Sequence, residues 1–140
     1  MDNDKIGKRV VLKTVQKCLL NRRNQLIIPN KPLSNYDLEQ YASCLKIPFF
    51  RGVFMKDVLP KHVWINETGI VNLDNANNEG THWVCYKKLF NTVYYFDSFG
   101  NLPPPIELQK YFKKSNKVFY NYTRRQNDNT DICGHLCLNF

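Results

Sequence analysis

The spacing of apolar and polar positions marks a hairpin in the middle of the chain. Residues 82–87 and 92–96 are rich in aromatic and β-branched side chains, and residues 88–91 join the two runs. This pattern predicts two antiparallel strands. Further strand candidates are 64–65 with 69–73, and 117–122. The aromatic and aliphatic segment 49–58 contains Gly52, which permits a bend.

The best-specified helix begins after Ser34, which is a predicted N-cap. Asp37 lies at the third helical position, and Leu33 and Leu38 are spaced as a hydrophobic staple. Pro48 would stop the helix. Its apolar face is predicted to carry Leu38, Tyr41, Ala42 and Leu45.

Three other segments have helical patterns: 8–20, 106–112 after a run of prolines, and a last helix that opens at Cys133. The predicted class is α+β, with a central, mainly antiparallel sheet flanked by helices. Residues 1–30 are predicted to form a basic helix or arm, and residues 31–140 a single globular domain.

Composition narrows the cellular setting. Apolar residues make up 43% of the 140, with nine Phe and eight Tyr, which argues against disorder. No apolar run approaches the roughly 20 residues of a membrane span. The N-terminus carries Asp2 and Asp4 where a signal peptide needs basic residues. We therefore expect an intracellular protein without a membrane partner.

Charge and cysteine content each leave a choice open. Twenty Lys and Arg against twelve acids give a net charge of +8, which suits contact with nucleic acid but also an ordinary soluble surface. Five cysteines are an odd number and show no framework spacing. In a reducing compartment we expect free thiols, mostly buried.

Three residues in the second half have the types and contexts of a thiol catalytic centre. His82 begins a strand after a glycine-containing loop, and Asp97 ends the partner strand, so a hairpin can bring them together. Cys133 opens a helix, where the helix dipole stabilises a thiolate. A neutral imidazole can take the thiol proton, and a carboxylate can orient the imidazole. Taken singly, His82 could be structural and Asp97 a turn cap.

Two further residues fit the same hypothesis. Gln126 can donate its amide to a developing oxyanion, together with the backbone N–H of Cys133. Gly134 leaves room for a substrate backbone beside the nucleophile. A lone Gln is usually a surface residue, so its assignment depends on His82, Asp97 and Cys133.

A zinc site is the competing interpretation of the C-terminal cysteines. Cys133, His135 and Cys137, with Cys85, supply the right ligand types. However, alternate residues of a helix point to different sides, and no second paired motif exists. We therefore predict no metal, and we expect Cys137 to be a core residue.

These motifs resemble a known family. The segments Gly80-Thr81-His82-Trp83, Tyr95-Phe96-Asp97-Ser98-Phe99-Gly100, Gln126 and Cys133-Gly134-His135-Leu136-Cys137 are similar to those of the adenovirus protease (adenain) family. Residues 50–54 and 69–72 also match, and the resemblance is strongest to the proteases of Polinton (Maverick) elements and adintovirus-like genomes. It extends over about residues 33–140. SUMO-specific proteases belong to the same clan.

The resemblance implies a role for each residue. Cys133 would be the nucleophile, His82 the general base and then acid, Asp97 the orienting acid, and Gln126 the oxyanion donor. Trp83 would wall a narrow substrate cleft. The implied fold is that of adenain and the SUMO proteases.

The implied activity is endopeptidase cleavage after small residues, at Gly-Gly or Gly-x sites of viral or transposon structural precursors. The chemistry needs no cofactor, although adenain uses DNA and a short peptide as activators. We expect a monomer in the host nucleus or cytoplasm, or in the virion.

Two departures from the family keep other interpretations open. The adenovirus enzyme has Glu where this chain has Asp97, and this chain stops seven residues after Cys133, where family members continue. The second departure predicts a C-terminally truncated form with a marginal last helix. One alternative is an inactive relative that serves as a basic DNA-binding domain. Another is a protease for ubiquitin-like proteins ending in Gly-Gly.

Overall fold

A five-stranded sheet forms the centre of the protein. The computed structural model describes residues 18–78, 80–126, 130 and 132–140. The strands lie side by side in chain order: β1 (Phe50–Met55), β2 (Asn66–Asn72), β3 (Trp83–Leu89), β4 (Thr92–Phe96) and β5 (Lys117–Tyr120). In this described part the helices are α1 (Asn35–Cys44), α2 (Ile106–Tyr111) and α3 (Cys133–Leu138).

The sheet is mixed. The β2–β3 and β3–β4 pairs are antiparallel, whereas β1–β2 and β4–β5 are parallel. The α+β class with a central sheet flanked by helices is confirmed, and the two parallel pairs are a feature that the sequence did not predict. Parallel neighbours need a connection that carries the chain back along the sheet. Residues 56–65 connect β1 to β2, and residues 97–116 connect β4 to β5. The parallel pairs were not predicted because the residue pattern of one strand does not reveal the direction of its neighbour.

The predicted hairpin is confirmed as β3–β4. Leu89 pairs with Thr92 and closes a two-residue turn at Phe90 and Asn91. The Phe90 backbone N–H donates to Ile65 O (3.1 Å) and to Asn66 Oδ1 (3.0 Å). These two bonds hold the turn against the start of β2, and they therefore also help to fix the register of the hairpin.

Helix α1 begins as predicted. Ser34 Oγ accepts from the Asp37 backbone N–H at 3.1 Å, and Asp37 Oδ2 accepts from the Ser34 N–H at 3.0 Å, which completes a capping box. Leu33 and Leu38 are both buried in one cluster. The helix ends at Cys44, and Leu45 is 41% exposed, so it does not join the buried face as predicted.

Each face of the sheet carries its own core. The first core lies under α1 and α3 and includes Leu38, Ala42, Ile70, Trp83, Cys85, Phe96 and Cys133. The second lies under α2 and includes Val71, Val84, Tyr86, Val93, Leu108 and Phe112. Neighbouring strand residues alternate between the two cores because side chains along a strand point to opposite faces.

One buried carboxylate ties the second core to the loops. Glu67 is fully buried and accepts from Tyr86 Oη (2.5 Å), Tyr111 Oη (2.9 Å), the Trp64 N–H (2.6 Å) and Arg51 Nη1 (3.1 Å). A buried charge is tolerated when it is paired and hydrogen-bonded in this way.

The cysteines do not all remain free, contrary to expectation. Cys18 and Cys44 form a disulfide, with their Cα atoms 5.9 Å apart, while Cys85, Cys133 and Cys137 are buried free thiols. That Cα separation suits a disulfide. The pairing was missed because nothing in the sequence spacing brings residue 18 to the end of α1.

The N-terminal region is described only from residue 18 onward, so most of the helix predicted for 8–20 lies outside the described residues. Leu20 forms an isolated β-bridge with Leu26 instead of a helical turn. Ile28 packs against the first core, and the Pro29 carbonyl lies 2.7 Å from His135 Nε2. Residues 28 and 29 therefore contact the domain that was predicted to begin at residue 31.

Gly69→Ala should destabilise the fold by roughly 1–3 kcal/mol, the usual cost of overpacking a core. The Tyr86 ring crosses Gly69 to reach Glu67, and a Cβ at position 69 would lie 2.5 Å from the Tyr86 hydroxyl oxygen. Urea unfolding measures the loss. In a Tyr86→Leu background the same substitution should cost clearly less. An equal cost in both backgrounds would show that this contact is not the cause.

Candidate active site

The register of the hairpin places His82 next to Asp97. The last β3–β4 pair is Cys85 with Phe96. His82 directly precedes β3 and Asp97 directly follows β4, so this pairing brings both residues to the same end of the hairpin. His82 Nε2 lies 2.8 Å from Asp97 Oδ1.

Asp97 is held rigidly. It is 1% exposed, and its Oδ1 also accepts from the Phe99 backbone N–H at 3.0 Å. Its own N–H donates to Asn121 Oδ1 (2.9 Å), while Asn121 Nδ2 donates to the Asp97 carbonyl (2.7 Å). The carboxylate therefore has a fixed direction before any substrate arrives.

The imidazole of His82 is fixed as well. Its ring stacks on Phe99, with the centroids 4.5 Å apart and an angle of 19° between the planes. The Arg124 guanidinium lies 5.2 Å from the centroid of the same Phe99 ring. Because Nε2 is bonded to Asp97, Nδ1 is the ring nitrogen left for Cys133.

Cys133 is the first residue of α3, and it is buried at 9% exposure in the first core, beside Trp83 at the start of β3. The imidazole of His82 and the backbone N–H groups of Trp83 and Gly134 lie close enough to its sulfur to lower the pKa of the thiol. The structure thus brings together His82, Asp97 and Cys133, the three residues that the sequence grouped.

The protonation of the pair follows from these contacts. Burial alone would raise the pKa of the Cys133 thiol, but the hydrogen bond and charge of His82 and the two backbone N–H groups lower it. Burial alone would lower the pKa of His82, yet the bonds to Asp97 and Cys133 and their charges raise it to about 9. The opposite shifts favour a thiolate–imidazolium pair at neutral pH.

The other free thiols are of a different kind. Burial, followed by a hydrogen bond with Cys85, raises the pKa of Cys137 well above its ordinary value. Cys85 is 1% exposed and Cys137 is 5% exposed, and both belong to the first core. They are packing residues, and they provide an internal comparison for Cys133.

Gln126 links the segment ahead of Cys133 to the segment that follows β4. It is 3% exposed, its Oε1 accepts from Ser98 Oγ (2.5 Å), and its Nε2 donates to the Thr130 carbonyl (2.6 Å). Among the described residues, no hydrogen bond joins Gln126 to Cys133. The oxyanion role of Gln126 therefore stays a prediction. The second Nε2 hydrogen, which does not bond to Thr130, is the one that could donate to an oxyanion.

Gly134 has a different position from the one predicted. It is buried, and a Cβ there would lie 3.2 Å from Leu38 Cδ2 and 3.4 Å from Trp83 Cδ1. Its small size lets α3 approach α1 and the sheet, whereas the prediction placed it in the substrate cleft. Trp83 lines a cleft beside Cys133, and its Nε1 donates to the Leu33 carbonyl at 2.9 Å.

A cleft of about 410 Å³ opens beside the thiol. Its floor and walls come from the end of β2, the start of β3, the loop before His82 and the segment ahead of α1. Apart from Cys133, the described residues that line it are uncharged, among them Leu33, Met55, Asn72, Thr81 and Trp83.

The ligand types proposed for zinc do not converge in the described part of the chain, which holds no group of three or more His, Cys, Asp or Glu placed for a metal. His135 turns its Nε2 to the Pro29 carbonyl instead. Within the same residues, no helix is long and apolar enough to cross a bilayer.

Comparisons with known proteins give matches in structure but none in sequence. No protein-family model matches the chain, and a search of the curated proteins finds no match. A structure of the SUMO protease Ulp1, with its catalytic cysteine oxidised to a sulfinic acid, aligns with a TM-score of 0.50 at 18% identity, over 94% of this chain and 79% of that one. The ASFV pS273R protease aligns with a TM-score of 0.52 at 16% identity.

The chain has the fold of these proteases. This agrees with the fold that the resemblance implied. The alignment with the ASFV pS273R protease covers 86% of this chain but only 58% of that protease. At such identities the likeness concerns the fold, and the specific tie to adenain and Polinton proteases stays a prediction.

Sequence reasoning missed the residues that support the centre. Phe99 is close to Asp97 in sequence, but it lies in the turn in which the Gly100 N–H donates to the Asp97 carbonyl, and no local pattern placed its ring against His82. Asn121 carried no signal, because it directly follows β5, a parallel strand whose partner could not be predicted.

Cys133 should react with iodoacetamide at lower pH than an ordinary thiol. Its lowered pKa keeps the thiolate present below the usual value of about 8.5. In His82→Ala the stabilising bond and charge of the imidazole are lost while burial remains, so the midpoint for Cys133 should rise. Mass spectrometry gives the rate at each cysteine against pH, with Cys137 as the slow reference. A Cys133 midpoint that His82→Ala leaves in place would contradict the pairing.

Proposed function

We propose that this protein is a cysteine endopeptidase. The observation that carries the proposal is the placement of His82 between Asp97 and Cys133, with the pKa of the imidazole raised and that of the thiol lowered. Perturbed groups that couple in this way beside a cleft are typical of a nucleophile and its base.

The reaction follows from these positions. The Cys133 thiolate attacks the carbonyl carbon of a peptide bond, and the resulting oxyanion accepts from the Cys133 backbone N–H, with Gln126 as the second proposed donor. The His82 imidazolium gives its Nδ1 proton to the departing amine, which leaves a thioester. Neutral His82 then takes a proton from water, whose oxygen attacks the thioester and releases the acid and the thiolate.

Asp97 serves the reaction without touching the substrate. By accepting from Nε2–H it keeps the other ring nitrogen directed at the thiol, and its charge stabilises the imidazolium. Asp97 is therefore a positioning residue in this scheme. The aspartate in place of the glutamate of adenovirus protease retains the single carboxylate oxygen that the geometry uses.

The cleft favours an uncharged stretch of polypeptide as substrate. Apart from the Cys133 thiolate itself, its described lining carries no charged side chain, and Trp83 narrows it beside the thiolate. We propose cleavage after small residues such as glycine, because large side chains would meet this wall. Viral or transposon structural precursors are the proposed substrates on the basis of the adenain-like motifs.

A second candidate substrate is a ubiquitin-like protein ending in Gly-Gly. The likeness in fold to the SUMO protease Ulp1 favours it. Activation by DNA or a peptide, a monomeric state, an intracellular location, and the alternative of an inactive DNA-binding relative all stay predictions from the sequence.

Asp97→Asn should lower kcat/KM by about 10²-fold or more, the scale of a general acid–base contribution. The substrates are fluorogenic peptides with an uncharged flank and glycine before the cleaved bond, and a ubiquitin-like fusion ending in Gly-Gly. The matched control is Asp74→Asn, which makes the same change on an acid of the loop before His82.

Asp74→Asn should retain most of the activity, and Cys133→Ala should retain none. An unaltered rate in Asp97→Asn would contradict the assigned roles. Wild-type protein that leaves every substrate intact would support the inactive alternative. Preference for the fusion over the peptides would select the second substrate class.

A further inference from the structure

The floor of the cleft contains a polar residue that the catalytic scheme does not use. Asn72 is the last residue of β2, and it pairs with Met55 of β1 and Trp83 of β3. Directly paired residues share a face of the sheet. The three side chains therefore form a row under the cleft that Cys133 borders, and Asn72 is 3% exposed.

The orientation of the Asn72 carboxamide is determined. Its Oδ1 accepts from two backbone N–H groups, those of Asp74 and Thr81, each at 3.0 Å. Only the oxygen can accept from two donors, so the nitrogen must occupy the opposite position. The amide thus closes the loop before His82 and presents Nδ2 on its other side.

Nδ2 has no hydrogen-bond partner among the residues that the structure describes, although the side chain is almost fully buried. Gly80 has no side chain that would cover Nδ2. A Cβ at that position would lie 2.9 Å from Nδ2, and the backbone there has φ +100°, which side chains rarely adopt. Asn72 and Gly80 both line the cleft, so the free N–H groups are open to whatever enters it.

We propose that Asn72 Nδ2 donates a hydrogen bond to a backbone carbonyl of the substrate peptide beside Cys133. This inference rests on the proposed peptidase function. A peptide that enters the cleft loses water from its carbonyl groups, and each buried carbonyl then requires a donor. A fixed, uncharged donor suits a main-chain acceptor and adds no preference for a charged side chain.

Asn72 also has a structural part, which the test must separate from substrate binding. By holding Thr81 it orders the residue before His82, and Leu73 N–H donates to the His82 carbonyl at 2.9 Å. Asn72→Asp keeps an oxygen for the two loop N–H groups, removes the N–H donor and adds a negative charge. Asn35→Asp is the matched control, because it places the same charge on an exposed residue lining the same cleft.

The experiment compares two inactivators of Cys133 in the full chain. Iodoacetamide reports only on the thiolate, whereas a Gly-Gly peptidyl chloromethyl ketone must also occupy the cleft. We expect Asn72→Asp to lower the ratio of the peptidyl rate to the iodoacetamide rate about tenfold, the effect of one lost buried hydrogen bond. Asn35→Asp should leave that ratio within about twofold.

An unchanged ratio in Asn72→Asp, with or without an equal fall in both rates, would overturn the inference and leave the peptidase proposal intact. An equal fall of this rate ratio in Asn35→Asp would also overturn the inference, because it would show that the added charge causes the effect. A wild-type chain that reacts no faster with the peptidyl probe than with iodoacetamide would overturn both proposals.

A second set of probes tests the same bond without depending on how Asn72→Asp folds. In each probe one backbone carbonyl is reduced to a methylene. With the wild-type chain, one of these probes should react about tenfold more slowly than the parent peptide. Equal rates for the whole set would overturn the proposed bond.

Discussion

The register between β3 and β4 is the constraint on which the candidate site depends. His82 precedes β3 and Asp97 follows β4, so their 2.8 Å contact exists only because Cys85 pairs with Phe96. A slip of one residue would move Asp97 to the opposite face of the sheet. The hydrogen bonds from Phe90 to the entry of β2 act against such a slip at the far end of the hairpin.

Cys133 is placed beside this pair by packing. Cys133 lies in the first core with Leu38 and Trp83, and the small Gly134 lets α3 approach both. The same burial that fixes the thiol would raise its pKa, which is why the bond to His82 decides whether the residue is a thiolate. The position of Cys133 and the reactivity of its thiol therefore both depend on the close approach of α3 to the end of the hairpin.

Local patterns were sufficient for part of this structure. The capping box of Ser34 and Asp37, the hairpin, and the grouping of His82, Asp97 and Cys133 were all predicted, because each depends on residue types at short spacings or on the resemblance to a family. The resemblance also gave Gln126, whose buried position agrees with a site residue but does not test its role.

Long-range pairing lay beyond the sequence. The parallel directions of β1 and β5, the Cys18–Cys44 disulfide and the support of Asp97 by Asn121 all join segments whose partners no local pattern names. The role of Gly134 was mistaken for a similar reason. A glycine beside a nucleophile suggests space for substrate, and only the packed structure shows that the space is filled by Leu38.

The most direct test of the account is a titration of the His82 imidazole by NMR, in the native chain and in Cys133→Ala. The thiolate–imidazolium pair predicts that the ring stays protonated to about pH 9. Removing the thiol should lower that pKa, because one of the groups that stabilise the charged ring is lost while its burial remains. A ring that titrates near pH 6.5 in both proteins would contradict the pair, and with it the proposed nucleophile.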